Sequence, residues 1–153
     1  MKISEILKQE GIGKYVNRGK YNLIYMVGDN HVIKFKRFGG MEFKPFSEHE
    51  YKIAKALYSL GISVPKPEGI FNIEHPKTHL IVPGFVMEYI PEKRLIIGGN
   101  YESALWSREI KEVRRHGFDP FDSGTDNVIW CPQRNRIYLI DFEGWELPKG
   151  YKI

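Results

Sequence analysis

Cysteine is nearly missing from this sequence: Cys131 is the single one in 153 residues. No internal disulfide can form, and a reducing cytoplasm is the simplest expected setting. Long hydrophobic runs are missing as well. No apolar stretch approaches the ~20 residues that cross a bilayer, so no membrane partner is expected. The amino-terminal stretch MKISEILKQEGIGK lacks the apolar core and small-residue cleavage site of a secretory signal, and carries an amphipathic helical pattern instead. There is no repeat, low-complexity tract or linker, which leaves one domain over residues 1–153. A strong charge of one sign is also lacking: 23 basic against 19 acidic residues give +4, with the basic ones scattered along the chain. That is weak ground for nucleic-acid binding and reads as a solvated surface.

What is present is a globular balance of 42% hydrophobic and 27% charged residues. A chain of this length buries roughly 70% of its unfolded surface, enough for an enzyme core. Ile3 to Gln9 reads as a short helix stopped by GIG. KYVNRGKYNLIYMVGDNHVIKFKRF follows, with aromatic and β-branched runs around NRG and GDN, the pattern of a three-stranded meander. From Pro45 to Leu60 the period becomes helical, with Glu50, Ile53, Ala54 and Leu57 on one face and Gly61 as a stop. GIFNIEHPKTHLIVPGFVMEYI returns to strands around a Pro-Lys-Thr turn. YESALWSREIKEVRRHG places Trp106, Ile110, Val113 and Gly117 on one helical stripe, and NVIWCPQRNRIYLIDF reads as a closing hairpin. Strands and helices come in blocks instead of alternating as βαβ, so the expected class is α+β.

The chemistry is concentrated in FDSGTDNVIWCPQRNRIYLIDFEGW, residues 121–145. An Mg2+ ion carried by a nucleotide takes hard oxygen ligands from one or two protein groups, the remainder coming from phosphate and water. Asn127 and Asp141 suit that task. An alcohol attacking a γ-phosphate needs a carboxylate that orients it and accepts its proton, and Asp122 stands five residues before Asn127. Asp126 reads as a turn residue.

Asp-x-x-x-x-Asn, a hairpin, then Asp-Phe resembles the catalytic loop and metal-binding segment of the protein kinase-like superfamily. HVIK, ending at Lys34, resembles the strand whose lysine holds the α- and β-phosphates, and EYKIAKALYSLGISVP resembles the following helix and loop of the RIO-like and aminoglycoside-phosphotransferase branches. Glu50 then takes the place of the glutamate that pairs with that lysine. Independently, Glu50 shares a face with apolar residues, so its carboxylate needs a partner, and Lys34 is the natural one. FVMEYIPEKRL resembles the segment between the family's two lobes, with Met87 as gatekeeper and the Glu88 carbonyl and Ile90 amide reading the adenine edge. The resemblance implies an amino-terminal lobe over about residues 1–88 and a reduced carboxy-terminal lobe over about 89–153. It also implies ATP and Mg2+ as cofactors and a serine/threonine protein kinase or small-molecule kinase acting on a hydroxyl.

Departures from the pattern set the alternatives. The loop that covers the phosphates keeps one glycine, Gly19, in VNRGKYNLIYMV, flanked by Asn17 and Asn22, with Lys20 adding charge. Pro120 stands two residues before Asp122 where the family has histidine, and in HGFDP a second alignment makes Asp119 the base. The five-residue step to Asn127 favours Asp122. Glu143 follows Asp-Phe in place of glycine, as in small-molecule phosphotransferases. Only FEGWELPKGYKI follows Asp141, which leaves no room for an activation segment or for the helices of a substrate platform. The expectation is therefore a minimal kinase whose acceptor is a small molecule or is presented by a partner protein. Self-association or a protein partner is expected over exposed apolar surface near Trp130, Trp145 and Leu147. The alternative function is a nucleotide-binding pseudokinase that serves as a regulatory or scaffolding module.

Overall fold

A computed structural model describes residues 2–18, 22–36, 48–91, 100–120, 128–142 and 144–151. The fold is α+β: among the described residues, three helices accompany a five-stranded antiparallel sheet and a separate two-stranded hairpin. No helix among them is long and apolar enough to cross a membrane. The chain forms two compact units, Met1–Tyr51 with Pro67–Tyr89, and Lys52–Lys66 with Ile90–Ile153.

The first unit begins with α1 (Ile3–Glu10), followed by β1 (Tyr15–Arg18), β2 (Asn22–Val27) and β3 (His31–Lys36). Gly28, Asp29 and Asn30 form the turn that GDN predicts. β4 (Pro67–Glu74) and β5 (Ile81–Glu88) complete the sheet in the order β1-β2-β3-β5-β4. Because side chains alternate along a strand, the register defines two faces. Leu23, Tyr25 and Val27 of β2, Ile33 and Phe35 of β3 and Val86 of β5 form one buried cluster with Ile3 and Leu7 of α1. Gly84 lies on that face, where an added Cβ would stand 2.6 Å from Ile33 Cδ1 and 2.9 Å from Phe35 Cε1. Only glycine lets β5 approach this closely. The other face carries Val32, Lys34 and Lys36 of β3 opposite Met87 and Phe85 of β5, with Met26 and Ile24 beside them on β2.

α2 (Glu48–Ser59) has its first turn in the first unit and continues from Lys52 in the second. Ile53, Ala54 and Leu57 are buried, as the helical period predicts. The helix closes on Gly61, whose φ of +79 lets its N–H reach the Tyr58 carbonyl while the Ile62 N–H reaches Leu57. This is the paired bonding that glycine permits at a helix end. α3 (Asn100–Arg115) closes in the same way, with Gly117 on Arg114 and Phe118 on Val113. β6 (Val128–Cys131) and β7 (Arg136–Leu139) pair as the predicted hairpin. The segment after α2 lies along β7: the Leu139 N–H donates to the Ser63 carbonyl over 2.8 Å. The buried Ser63 hydroxyl donates to the Ile137 carbonyl and accepts from Arg136 Nε.

One sequence-based expectation is overturned here. Trp145, expected at an exposed apolar surface, is buried. Its backbone N–H donates to the Phe142 carbonyl, and the indole lies edge-on against the Phe142 ring at 5.1 Å between centroids.

Candidate functional site

Lys34 stands at the fourth position of β3, directly opposite Phe85 on β5 and Ile24 on β2. Its side chain is almost fully withdrawn from water, which for an ammonium group is costly unless a counter-charge meets it. Glu50 supplies that charge. Lys34 Nζ donates to Glu50 Oε1 over 2.8 Å, and the two residues are 2% and 3% exposed. The carboxylate sits in the first turn of α2, where the partial positive charge of a helix start favours an anion. Phe85 lies beneath the ammonium at 5.7 Å from its ring centroid, and Tyr51, one residue after Glu50, packs edge-on against Phe85 at 5.8 Å. The aromatic pair thus ties the middle of β5, opposite Lys34, to the helix start that carries Glu50.

Along the same sheet face run Ile24, Met26 and Met87, all half-buried, and Val32, buried. Met87 faces Val32 and Glu88 faces His31 across the β3–β5 ladder. The Tyr89 N–H donates to the Asn30 carbonyl over 2.9 Å and closes this end of the sheet. Ile90 is buried and belongs to the second unit, in a small cluster with Cys131 and Tyr138.

Within the second unit, Asp141 follows β7 with a φ of +60, a left-handed backbone that few residues other than glycine adopt. The residue is half-buried, and a turn in which the Trp145 backbone N–H donates to the Phe142 carbonyl follows it. Such backbone costs on the order of 1 kcal/mol and clusters at working sites. Asp119 is exposed, just beyond the end of α3. Asp122, Asp126, Asn127 and Gly19 lie outside the described residues. Among the described residues no group of three or more His, Cys, Asp or Glu side chains is placed to hold a metal ion.

The structure therefore brings together Lys34 and Glu50, places Met87 and Glu88 at the end of β5 on the same sheet, and gives Asp141 a left-handed backbone that His79 and Asn135 also adopt. Sequence reasoning missed two buried polar residues of the first unit. Lys36 shares the face of Lys34 and has its ammonium 4.0 Å from Glu50 Oε2; the period of two along HVIKFK is the signal that could have found it. His75 is buried in the β4–β5 turn. Its Nδ1 accepts the N–H groups of Lys77 at 3.1 Å and Thr78 at 3.3 Å, which assigns the ring proton to Nε2. Burial pushes its pKa down, and the charges of Lys77 and His79 add to the effect. Compared with models of known protein families and with curated proteins, the chain matches none.

Proposed function

We propose that this protein is an ATP- and Mg2+-dependent phosphotransferase of the protein kinase-like kind, moving the γ-phosphate to a hydroxyl group of a small molecule or of a protein. The observation that carries the reading is the buried Lys34–Glu50 ion pair, set on a sheet face that also offers half-buried apolar side chains. A cation held by a carboxylate and shielded from water is ready for a polyphosphate, and Ile24, Met26 and Met87 offer flat apolar contact suited to a purine. The order of elements also supports it: a meander ending in the lysine strand, a helix carrying the glutamate, a second strand pair, then a helix and a hairpin that leads to Asp141. A single buried thiol, Cys131, fits a reducing cytoplasm.

In this reading Lys34 holds the α- and β-phosphates and Glu50 orients it. The Glu88 carbonyl and Ile90 amide meet the adenine edge, Met87 lies behind it, and the Gly19 segment covers the phosphates. Asp122 accepts the acceptor's proton as the hydroxyl oxygen bonds to the γ-phosphorus and the bond to the β-bridging oxygen breaks, releasing ADP. Asp141, a half-buried hard-oxygen donor, fits an Mg2+ site with Asn127 as the second ligand, and the ion would neutralise the charge on the phosphates. Incubating the protein with γ-labelled ATP, Mg2+ and a panel of hydroxyl acceptors tests the reading: label must move to an acceptor or to water, and must stop when Mg2+ is chelated.

A second reading, a nucleotide-binding pseudokinase, is favoured by one feature, the phosphate-covering segment VNRGKYNLIYMV with its lone glycine. Saturable ATP binding without any transfer would select it. Absence of ATP binding would reject both.

A further inference from the structure

Glu50 has two lysines on its carboxylate: Lys34 on Oε1 at 2.8 Å and Lys36 on Oε2 at 4.0 Å. All three residues are at most 6% exposed. Lys34 and Lys36 are two residues apart in one strand, so both side chains leave the same face of the sheet, about 7 Å apart at the backbone. A lysine that must release part of its charge to an anionic ligand presents a difficulty. The carboxylate it leaves behind is buried, and a buried carboxylate stripped of its cation is strongly destabilised. A second ammonium on the other oxygen removes that penalty.

We propose that Lys36 is a positioning residue: it holds the second oxygen of Glu50, so that Lys34 can turn toward a polyphosphate while the carboxylate stays in place and neutralised. Lys36 does not itself touch the ligand. Because Lys36 draws on the same carboxylate, its loss would leave Lys34 held more tightly against Glu50.

The second consequence gives a test that needs no nucleotide. Carbamylation of Lys34 by cyanate, followed by mass spectrometry of the folded protein, measures how often the shielded amine leaves the carboxylate and meets the reagent. Lys36→Gln is expected to slow this reaction roughly three- to tenfold, the scale of strengthening one shielded ion pair, while Lys36→Arg keeps the wild-type rate. Equal rates in the Gln variant and the wild type overturn the proposal, since a purely structural role would leave the reactivity unmoved. A Gln variant that does not fold beside an Arg variant that does would make Lys36 a structural residue and overturn the positioning role.

The second arm rests on the phosphotransferase reading: ATP with Mg2+ should protect Lys34 from cyanate, and Lys36→Gln should raise the ATP concentration for half-protection at least fivefold, with Lys36→Arg near wild type. If ATP protects the wild type and the Gln variant alike, the positioning role is wrong. If ATP protects neither while the cyanate rates still differ, the role of Lys36 stands and the nucleotide reading falls.

Discussion

Lys34 Nζ and Glu50 Oε1 meet at 2.8 Å inside the first unit, with both side chains shielded from water. The lysine comes from the strand that pairs with both β2 and β5, and the glutamate from the first turn of the helix that follows. Neither charge could be buried alone, so the pair ties the start of α2 to the sheet as well as holding a cation in place.

Removing one partner should therefore be felt in stability. Glu50→Ala removes the carboxylate that Lys34 and Lys36 both approach and is expected to cost about 3–5 kcal/mol, the range for breaking a buried ion pair. Urea denaturation measures it through the shift in midpoint at constant slope. A loss below about 1 kcal/mol, typical of an exposed pair, would show that the two charges are not coupled in solution.

Gly84 offers a check of the same strand from its other face. Gly84→Ala places a methyl group at 2.6 Å from Ile33 Cδ1, so β5 or the side chains of β3 must shift. Overpacking of this kind costs about 1–3 kcal/mol. Since Ile33 precedes Lys34, the variant is also expected to weaken ATP binding, whereas Gly61→Ala, which strains the left-handed cap of α2, should lower stability alone. Thermal melts and nucleotide titrations on the two variants separate these effects.

How much of this was legible in the chain follows from where the physics is local. The helix around Glu50 could be read because Ile53, Ala54 and Leu57 repeat at its spacing and Gly61 ends it, and all three apolar residues are buried. The Lys34–Glu50 contact could be expected because a core-facing glutamate is costly without a partner. Lys36 could not be separated from an ordinary solvated lysine, since what meets its ammonium is Glu50, which comes from a different element. His75 reads in EHPKTH as a turn residue; it is buried by Phe35 and Tyr25, which come from strands far away in sequence. Trp145 was misplaced because a one-turn reversal after Phe142, invisible to any periodic pattern, folds its ring inward.

Asp141 should respond differently to substitutions that a purely structural role would not distinguish. Asparagine tolerates left-handed backbone almost as well as aspartate, so Asp141→Asn should fold and melt close to wild type. An amide is nevertheless a poorer ligand for a hard cation, so Mg2+-dependent transfer should fall at least 10²-fold. Asp141→Ala should lose both transfer and about 1 kcal/mol of stability, because alanine resists a φ of +60. Undiminished turnover in the Asn variant would remove Asp141 from the metal site.

The two aspartates that compete for the role of base can be ranked. Asp119 is exposed beyond the end of α3, while Asp122 keeps the five-residue step to Asn127. Asp122→Ala is expected to lower kcat by ~10² or more with ATP affinity kept, the scale of general-base loss. Asp119→Ala should change kcat less than about threefold, on the same scale of rate effects. The reverse ranking would move the base to Asp119.

His75 gives the fold a pH dependence of predictable sign. Its Nδ1 accepts two backbone N–H groups of the β4–β5 turn, and its ring packs edge-on against Phe35 at 4.7 Å and Tyr25 at 6.3 Å between centroids. Protonation would put a donor where two donors already point and a charge among aromatic rings, with Lys77 and His79 adding repulsion. The folded state therefore binds its proton less readily than the unfolded chain, whose histidine titrates near 6.5. As pH falls through that value the unfolded state takes up protons that the folded state refuses, so the full stability present above it drains away, and the loss levels off only below the folded pKa. Native carboxylates lose stability at lower pH, so the histidine contribution should be isolated between about pH 7 and pH 5. His75→Asn provides the control, because the asparagine carbonyl can accept the same turn N–H groups and does not titrate. The variant is expected to melt lower than wild type at pH 7, having lost ring contacts, yet to show a shallower fall in melting temperature down to pH 5. Parallel pH profiles for the two proteins would mean that the buried imidazole is not the group that makes the fold sensitive to acid.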